Sequence, residues 1–497
     1  MISNLIKVLH PILLVIFFVV LKYNDNQDEL IINDLIYVFS IMLPITIVFT
    51  LIMRLLIKNT TKSILISSFT ILVFFAYIPI HNLLYQFQIS DIKIGAHIIL
   101  LPVITTVSFI IIYVIIKSKK NFEKFLTISY VIMLALIIFN ASEIMIYSDL
   151  HSYTVNENLL LDFTVKESEF RDVYYIMLDE YAGTDALQKY LNYDNSGFDS
   201  SLESLGFFIP EESFSNYSPT RMSIPSFLNM DYLSIDYDRT EIANSLILED
   251  MISNNLVTKI FQKNGYETIS FYNELNLRSN PDTSNELCNN AIGQHQFMSF
   301  ILIQTPIVIF ENYVDKYNYK EYGANRLCIF NEIPSLDEKY SSPLFVFSHI
   351  MLPHHPYIFQ SDGTLISDTE NFELQNETAY LSQLEFTNSK VLDVVKKLLA
   401  KEPQPIIVVQ SDHGFRFNHD EITSDDYASI ERSFSNFSAY YFPDNTLTNN
   451  NQVHTSVNSF RILFNNNFGT DYELLENKIF IIKNNFQFED VTDILIP

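Results

Sequence analysis

The stretch Ile406–Gly414, which reads IIVVQSDHG, is the most strand-like run of the chain. Four β-branched apolar residues open it, as is typical of a strand buried on both faces of a parallel sheet. The run ends in Asp412 and His413, two residues that can bind a metal, followed by Gly414. Because open α/β sheets bind their ligands at the carboxyl ends of the strands, the stretch predicts a buried strand with a functional site at its end.

Strands and helices alternate through the rest of the second half of the chain. Further strands are predicted at Val173–Leu178, Leu205–Pro210, Glu267–Tyr272, Pro343–His349 and Asn436–Phe442. Helices are predicted at Thr184–Leu191, Asn255–Gly265, Glu373–Lys401 and Val453–Phe464. This alternation predicts an α/β fold, with helices on both faces of a mostly parallel sheet.

A second strand also ends in a carboxylate, because Asp179 follows Val173–Leu178. A hydroxyl residue, Thr220, opens a predicted helix, where Ser or Thr usually caps the helix. If the strands are sheet neighbours, Asp179, Thr220, Asp412 and His413 converge on one edge and form a plausible site for Zn²⁺ or Mn²⁺. A metal there would lower the pKa of the Thr220 hydroxyl and make it a nucleophile, so Thr220 is either a cap or a nucleophile.

Three histidines lie within seven residues, at positions 349, 354 and 355, in and after the strand Pro343–His349. For any one of them, a polar side chain that lines a turn is the simpler interpretation, but together with Asp412 and His413 a chance grouping becomes a weaker one.

The first 150 residues have the composition of a membrane anchor. Five runs are apolar and free of Lys and Arg: Val8–Leu21, Leu35–Met53, Ser63–Ile80, Ile94–Ile116 and Phe125–Glu143. Such runs approach the roughly 20 residues that cross a bilayer. Lys7 precedes the first run, and Lys and Arg cluster between the second and third runs and between the fourth and fifth. The positive-inside rule then predicts five spans, with everything after about Tyr147 outside the cytoplasm.

The charge balance excludes nucleic acid as a partner. The whole chain has a net charge of −27, and residues 1–150 hold 10 Lys and Arg against 8 Asp and Glu, so the acidic excess lies entirely in the remainder. Such a domain has no basic surface for phosphate backbones. The two cysteines, Cys288 and Cys328, exclude a zinc finger; they form either one disulfide or two buried thiols.

These observations divide the chain into four parts. Residues 1–147 are predicted to form the membrane anchor, 148–170 a juxtamembrane linker, 171–468 the catalytic domain and 469–497 a C-terminal extension.

From about Asp172 to Phe468 the sequence resembles the alkaline-phosphatase superfamily, in its membrane-anchored sulfatase-like branch. That branch includes phosphoethanolamine transferases and lipoteichoic-acid synthases. The matching motifs are Thr220 with Ser223 and Pro225, Asp179 after the first strand, Asp412-His413-Gly414, His354 with Pro356, and the later His419. The resemblance implies one divalent metal, Zn or Mn, held by Asp179, Thr220, Asp412 and His413. It implies Thr220 as the nucleophile and His354 and His419 as substrate-binding residues.

The sequence departs from this pattern at two positions. Glu180 stands where related chains often have Gly, and Glu180 could replace Asp179 as the metal ligand. Thr220 stands where sulfatases proper carry the Cys or Ser that becomes formylglycine, which argues against sulfatase chemistry. Ser218 is the fallback nucleophile.

The resemblance therefore implies a metal-dependent phosphotransferase, anchored in the cell (inner) membrane by several spans, with its catalytic domain outside the cytoplasm. It would move a phospholipid headgroup, phosphoethanolamine or phosphoglycerol, onto an envelope glycan or glycolipid through a phospho-threonine intermediate. The alternatives are a phosphatase or phosphodiesterase of the same superfamily and a non-catalytic envelope scaffold.

Overall fold

The computed structural model describes residues 2–26, 30, 32–89, 92–150, 153–165, 170–234, 241–272, 288, 291–310, 323–366, 376–417, 422–443, 454–483 and 487–496. The chain forms two compact units. The first unit contains Met1–Leu150 and Asn290–Asn318, and the second contains His151–Asn289 and Tyr319–Pro497.

The first unit is helical. Its helices are Ile2–Asp25, Ile32–Leu56, Thr60–Phe75, Tyr77–Tyr85, His97–Lys117, Glu123–Leu150 and Ala291–Ile303, and Gln88–Ile89 pairs with Ile92–Lys93 in a short hairpin. Each of the five apolar runs in the sequence overlaps one or two of these helices. Of the described residues, Asp34–Leu56, His97–Lys117 and Glu123–Ile144 are long and apolar enough to cross a membrane. The pair Thr60–Phe75 and Tyr77–Tyr85, bent by 46°, could be a fourth span, and the count of five stays a prediction.

The helix Ala291–Ile303 is part of the first unit although it lies far along the chain. It packs against the helices Ile2–Asp25 and Ile32–Leu56, where Phe297 and Ile301 are buried. The sequence pattern predicts no element in this segment. The two cysteines flank it in sequence and form a disulfide, with a Cα–Cα distance of 5.6 Å between Cys288 and Cys328.

The second unit is built on a five-stranded sheet. Its strands are β1 (Val173–Asp179), β2 (Glu267–Tyr272), β3 (Leu344–Pro353), β4 (Ile406–Ser411) and β5 (Ser438–Tyr441). Their order across the sheet is β2-β3-β1-β4-β5. All neighbours are parallel except β4 and β5, so the predicted mostly parallel α/β sheet is confirmed.

Helices cover both faces of this sheet, as predicted. Ile176 and Leu178 of β1 share a core with the helix Glu377–Leu399 on one face. The alternate residue Tyr175 points to the other face, because side chains along a strand alternate. Its ring stacks on Phe460, 4.6 Å between ring centroids. The second face is covered by the helices Thr220–Leu228, Leu256–Lys263 and Ser459–Asn467. The unit also contains the helices Thr184–Leu191, Ser196–Ser204, Glu241–Ser253, Tyr427–Phe434 and Thr492–Leu495.

The prediction of a strand at Leu205–Pro210 is wrong. Only Phe208 makes a bridge there, to Tyr440 of β5. Gly206 has a φ of +92° and turns the chain after the preceding helix, and Pro210 has no N–H to donate to a ladder. The segment that enters the Thr220 helix is instead Ser213–Phe214, which pairs in parallel with His454–Thr455.

The segments outside the predicted catalytic domain pack onto the second unit. Phe163 stacks on Phe468, 4.1 Å between ring centroids. The hairpin Phe480–Lys483 with Gln487–Asp490 lies against the chain just before Thr220. There the Phe480 N–H donates to the Asn216 carbonyl at 2.9 Å, and the Phe480 ring stacks on Tyr217. The C-terminal residues thus support the segment that leads to the site.

Candidate active site

Three buried side chains meet at the carboxyl edge of the sheet. Asp179 ends β1, His349 lies in β3 and Asp412 follows β4. One ligand atom from each lies within 4.8 Å of the others, and each residue is at most 1% exposed. The Asp179 Oδ2 and His349 Nε2 atoms are 3.3 Å apart. Two of the predicted ligands, Asp179 and Asp412, are therefore brought together with His349, whereas the predicted ligand His413 is not part of this group in the described structure.

The polar atoms of this group fit one divalent metal. Within the described part of the chain, Asp179 Oδ1, Asp412 Oδ2 and both ring nitrogens of His349 are buried without a hydrogen-bond partner. Buried polar groups are nearly always hydrogen-bonded, so unpartnered ones aimed at one point require an explanation. A cation bound by one atom of each residue would satisfy both carboxylates and one of the His349 nitrogens, and two carboxylates with an imidazole suit Zn²⁺ or Mn²⁺.

Backbone groups hold Asp412 in place. Its Oδ1 accepts hydrogen bonds from the N–H groups of His413, at 2.8 Å, and Glu180, at 3.1 Å. The hydroxyl of Ser223 donates to the Asp412 carbonyl at 2.6 Å. The serine three residues after Thr220 thus ties the Thr220 helix to the end of β4, and the Oδ2 atom stays available for a metal.

His413 presents one free nitrogen to Thr220. Its Nδ1 donates to the Gly414 carbonyl at 2.7 Å, which leaves Nε2 as the acceptor. The Thr220 hydroxyl donates to this Nε2 at 3.2 Å, and Asp412 Oδ2 lies 3.4 Å from the same nitrogen. Burial, helped by the charge of Arg416, lowers the pKa of His413 to about 4. The imidazole is therefore neutral near pH 7, as a metal ligand must be.

Gly414 has a steric role in this turn. A Cβ atom at this position would lie 2.0 Å from the Arg432 carbonyl oxygen and 2.6 Å from that of Ser435. Only glycine fits so close to two backbone carbonyls, which explains the residue that completes the Asp-His-Gly motif.

Thr220 is the first residue of its helix, and the interpretation of Thr220 as a cap is wrong. The capping position is Pro219, which makes no side-chain cap. The Thr220 hydroxyl faces His413, and the residue is 7% exposed. The N–H groups of a helix start also suit the binding of a phosphate. Ser218, the fallback nucleophile, is buried nearby, and its hydroxyl has no partner in the described structure.

Glu180 lies outside the group that could hold a metal, which contains Asp179. Burial alone would raise the pKa of Asp179, but His354 and His349 lower it below its usual value. Glu180 is turned toward Arg416, with 3.8 Å between Glu180 Oε1 and Arg416 Nε. The geometry thus favours Asp179 over Glu180 as a ligand.

The two clustered carboxylates differ in acidity. Burial, followed by the charge of Asp179, raises the pKa of Asp412 to about 7. Two carboxylates in one buried site resist ionising together, so the metal-free site retains a proton on this pair.

Metal binding should therefore depend on pH. Below about pH 7 a cation must displace the Asp412 proton, so the affinity for Zn²⁺ should fall by at least about tenfold for each further unit of pH. Above this pKa the carboxylate is already ionised and the affinity should level off. Competition with a chelating dye between roughly pH 5.5 and 8.5, an interval that brackets the pKa of about 7 of Asp412, measures the profile. An affinity that does not change with pH would contradict this assignment.

The loop that carries His354 is clamped from the helix Glu377–Leu399. The buried amide of Gln383 donates from Nε2 to the carbonyls of Pro353, at 3.0 Å, and His354, at 2.9 Å. Its Oε1 accepts from the N–H groups of Ile358, at 2.8 Å, and Phe359, at 3.2 Å. The His354 Nδ1 donates to the His355 carbonyl, so its Nε2 is free. Burial lowers the pKa of His354, but the charges of Asp179 and Glu180 raise it above its usual value overall.

Replacing Gln383 with leucine should displace this loop. Four backbone groups would lose their partner inside the protein, so the free energy of unfolding should fall by roughly 3 kcal/mol. Activity should fall at least about tenfold, because His354 loses its position. Chemical denaturation and a turnover assay measure the two effects. Gln188→Leu, on the exposed surface of the helix Thr184–Leu191, is the matched control. Equal effects of the two changes would refute a specific role for Gln383.

His349 and Gln383 were not assigned a role from the sequence. The sequence signals for His349 are its place in a mostly apolar strand and in a group of three histidines within seven residues. Gln383 carried no signal, since it lies on a long helix and acts through backbone groups. His419, the second predicted substrate-binding histidine, lies outside the described residues.

No protein-family model and no curated protein matches this sequence. Solved structures do show similarity. The membrane protein lipooligosaccharide phosphoethanolamine transferase A from Neisseria meningitidis is 15% identical, with a TM-score of 0.39 over 81% of this chain and 82% of that one. The periplasmic domain of EptC from Escherichia coli, solved as a complex with Zn, is 12% identical, with a TM-score of 0.42 over 67% of this chain and 97% of that one.

A sulfatase from Bacteroides thetaiotaomicron, itself described as putative, is 10% identical, with a TM-score of 0.39 over 61% of this chain and 72% of that one.

Proposed function

We propose that the protein is a membrane-bound phosphotransferase of the sulfatase-like type, with Thr220 as its nucleophile. One observation carries the proposal: the Thr220 hydroxyl stands at a helix N-terminus, 3.2 Å from the free nitrogen of His413 and beside the buried group Asp179, His349 and Asp412. A hydroxyl, a metal-binding group and a helix start are the parts that phosphoryl transfer through a covalent intermediate needs.

Asp179, His349, Asp412 and His413 would hold one divalent metal, Zn²⁺ or Mn²⁺. When bound, the metal would lower the pKa of the Thr220 hydroxyl and neutralise negative charge on the phosphoryl oxygens. His349 is added here to the ligands expected from the sequence, and Thr220 itself remains a proposed ligand as well as the nucleophile.

Two histidines in this site are driven to opposite protonation states. Burial keeps His413 neutral, whereas the carboxylates of Asp179 and Glu180 favour the protonated form of His354. Groups whose pKa values are pushed apart in one site are the natural candidates for opposite roles in proton transfer. His354 is therefore assigned as the acid, and the predicted substrate-binding residue His419 remains a proposal beside it.

In the first step the ionised Thr220 oxygen forms a bond to the phosphorus of a phospholipid headgroup. The bond from phosphorus to the diacylglycerol oxygen breaks, and the His354 proton passes to that oxygen. In the second step a hydroxyl of an envelope glycan or glycolipid attacks the phospho-Thr220 group. Its proton returns to His354, and Thr220 is released in its ionised form. Phosphoethanolamine and phosphoglycerol are the proposed headgroups.

The apolar helices of the first unit suit a donor that is a membrane lipid. Side chains such as Ile98, Phe109 and Leu55 are 85%, 68% and 81% exposed, as expected for helices that face lipid. We propose that the helices span the cell membrane and that the second unit works outside the cytoplasm.

Release of diacylglycerol tests this function. The full chain in vesicles that contain phosphatidylethanolamine or phosphatidylglycerol should release diacylglycerol only with Zn²⁺ or Mn²⁺ present. Without an acceptor, release should stop near one molecule per protein, and a lipid-linked glycan should make it continuous. No release from either lipid would refute the proposal, and continuous release of free headgroup without an acceptor would favour a hydrolase.

A further inference from the structure

An ion pair lies next to the metal-binding group. The Nε of Arg416 is 3.8 Å from Oε1 of Glu180, and the two side chains are 17% and 3% exposed. Within the described part of the chain, neither of these two atoms has a hydrogen-bond partner. The two side chains therefore form an ion pair in which the Nε–H group of Arg416 donates no hydrogen bond.

The backbone of Glu180 is in an unusual conformation. Its φ is +58°, in the left-handed region that favours glycine. The conformation is held from both sides, because the Glu180 N–H donates to Asp412 Oδ1 and the Tyr380 hydroxyl donates to the Glu180 carbonyl at 2.8 Å. A strained, buried carboxylate at a functional site indicates a use for its side chain, since glycine would fit the backbone with less strain.

Arg416 is close in sequence to the residue that contacts the nucleophile. It lies three residues after His413, whose Nε2 accepts the Thr220 hydroxyl. Arg416 thus supplies a permanent positive charge beside a site lined by the carboxylates Asp179 and Asp412. A guanidinium offers several N–H donors in one plane and suits phosphate oxygens.

We propose that Arg416 binds the non-bridging oxygens of the phosphoryl group that reaches Thr220. Glu180 is then the positioning residue that orients the guanidinium. This inference rests on the proposed function for the reaction, but the binding of phosphate can be measured without any reaction.

Binding of inorganic phosphate to the zinc-loaded full chain tests the inference. Arg416→Gln should weaken phosphate binding at least tenfold, and Arg416→Lys should weaken it less. Glu180→Gln should weaken it several-fold, and the double variant should be no worse than Arg416→Gln, because Glu180 acts through Arg416. The zinc content should stay at the wild-type value throughout. Asp393→Asn and Lys397→Gln, which remove an exposed ion pair on the helix Glu377–Leu399, are the matched controls.

Three outcomes would overturn the inference. Phosphate binding that is unchanged in Arg416→Gln would remove Arg416 from the subsite. Loss of zinc from Glu180→Gln would make Glu180 a metal ligand. A loss of preference between ethanolamine and glycerol headgroups in Glu180→Gln, with phosphate binding intact, would make Glu180 a receptor for the headgroup amine.

The inference and the proposed function can fail separately. If phosphate binding depends on Arg416 but no adduct forms on Thr220, the subsite stands and the transfer mechanism falls. If the adduct forms and Arg416→Gln binds phosphate normally, the mechanism stands and the subsite falls.

Discussion

Thr220→Ala should reduce headgroup transfer by about 1,000-fold or more, while the fold stays as in the unchanged protein and the other proposed ligands still hold zinc when it is supplied in excess. The reason is that the reaction is proposed to pass through a bond from phosphorus to the Thr220 oxygen, and alanine has no atom to form it. The Thr220 hydroxyl contacts His413 and does not cap its helix, so its removal should have little effect on the helix. Diacylglycerol release and zinc content measure the two expectations.

Two further variants make this result specific. Thr220→Ser keeps a hydroxyl and should retain part of the activity. Ser218→Ala removes the neighbouring hydroxyl, which is buried at 4% exposure and has no partner in the described structure, and it should remain active. A fully active Thr220→Ala enzyme, or an inactive Ser218→Ala enzyme beside it, would move the nucleophile away from Thr220.

Asp412→Asn should lower the affinity for Zn²⁺ by about 100-fold or more and abolish activity with it. The argument follows from the two oxygens of Asp412. Oδ1 accepts from two backbone N–H groups, so an asparagine would keep its single oxygen there. Its NH₂ group would then occupy the place of Oδ2 and turn two N–H donors toward the cation. Zinc binding by dye competition and mass spectrometry of bound metal measure the loss.

The stability of the metal-free variant separates this effect from a folding defect. Because the pKa of Asp412 is raised to about 7 in the folded protein, its ionised form costs stability above that pH. Asparagine removes this cost, so at pH 8 the metal-free variant should melt no lower than the metal-free parent. His349→Asn should lose zinc in the same way, whereas Glu180→Gln should not. A variant that melts far lower, or one that keeps its zinc, would contradict the assignment of Asp412.

The residues at the ends of the strands could be predicted because the strands are easy to recognise in the sequence. Apolar runs mark β1 and β4, and parallel strands place their carboxyl ends at one edge, so Asp179, Asp412 and His413 come together as expected. Thr220 is predicted from the motif that it forms with Ser223 and Pro225 in the resembled family, and the Ser223 hydroxyl reaches the Asp412 carbonyl. A local sequence pattern is sufficient to predict a site residue when that residue directly follows a strand or begins a helix.

Residues that act across long distances in sequence could not be predicted in this way. His349 reaches Asp179 because Met177 pairs with His349 and the register then shifts between Leu178 and Asp179, and no local pattern encodes that shift. Gln383 is 29 residues from the His354 carbonyl that it binds. The helix Ala291–Ile303 is too short for a span, and the spacing of Cys288 and Cys328 could not establish their pairing.

The most direct test of the account is to find the covalent adduct. The full chain, loaded with zinc and exposed to vesicles of mixed phospholipids without an acceptor, is quenched in acid, digested and mapped by tandem mass spectrometry. We predict one phosphodiester-linked headgroup on Thr220, absent from Thr220→Ala and from the metal-free protein. A chain that releases diacylglycerol while Thr220 stays unmodified, or an adduct on Ser218 instead, would contradict the account.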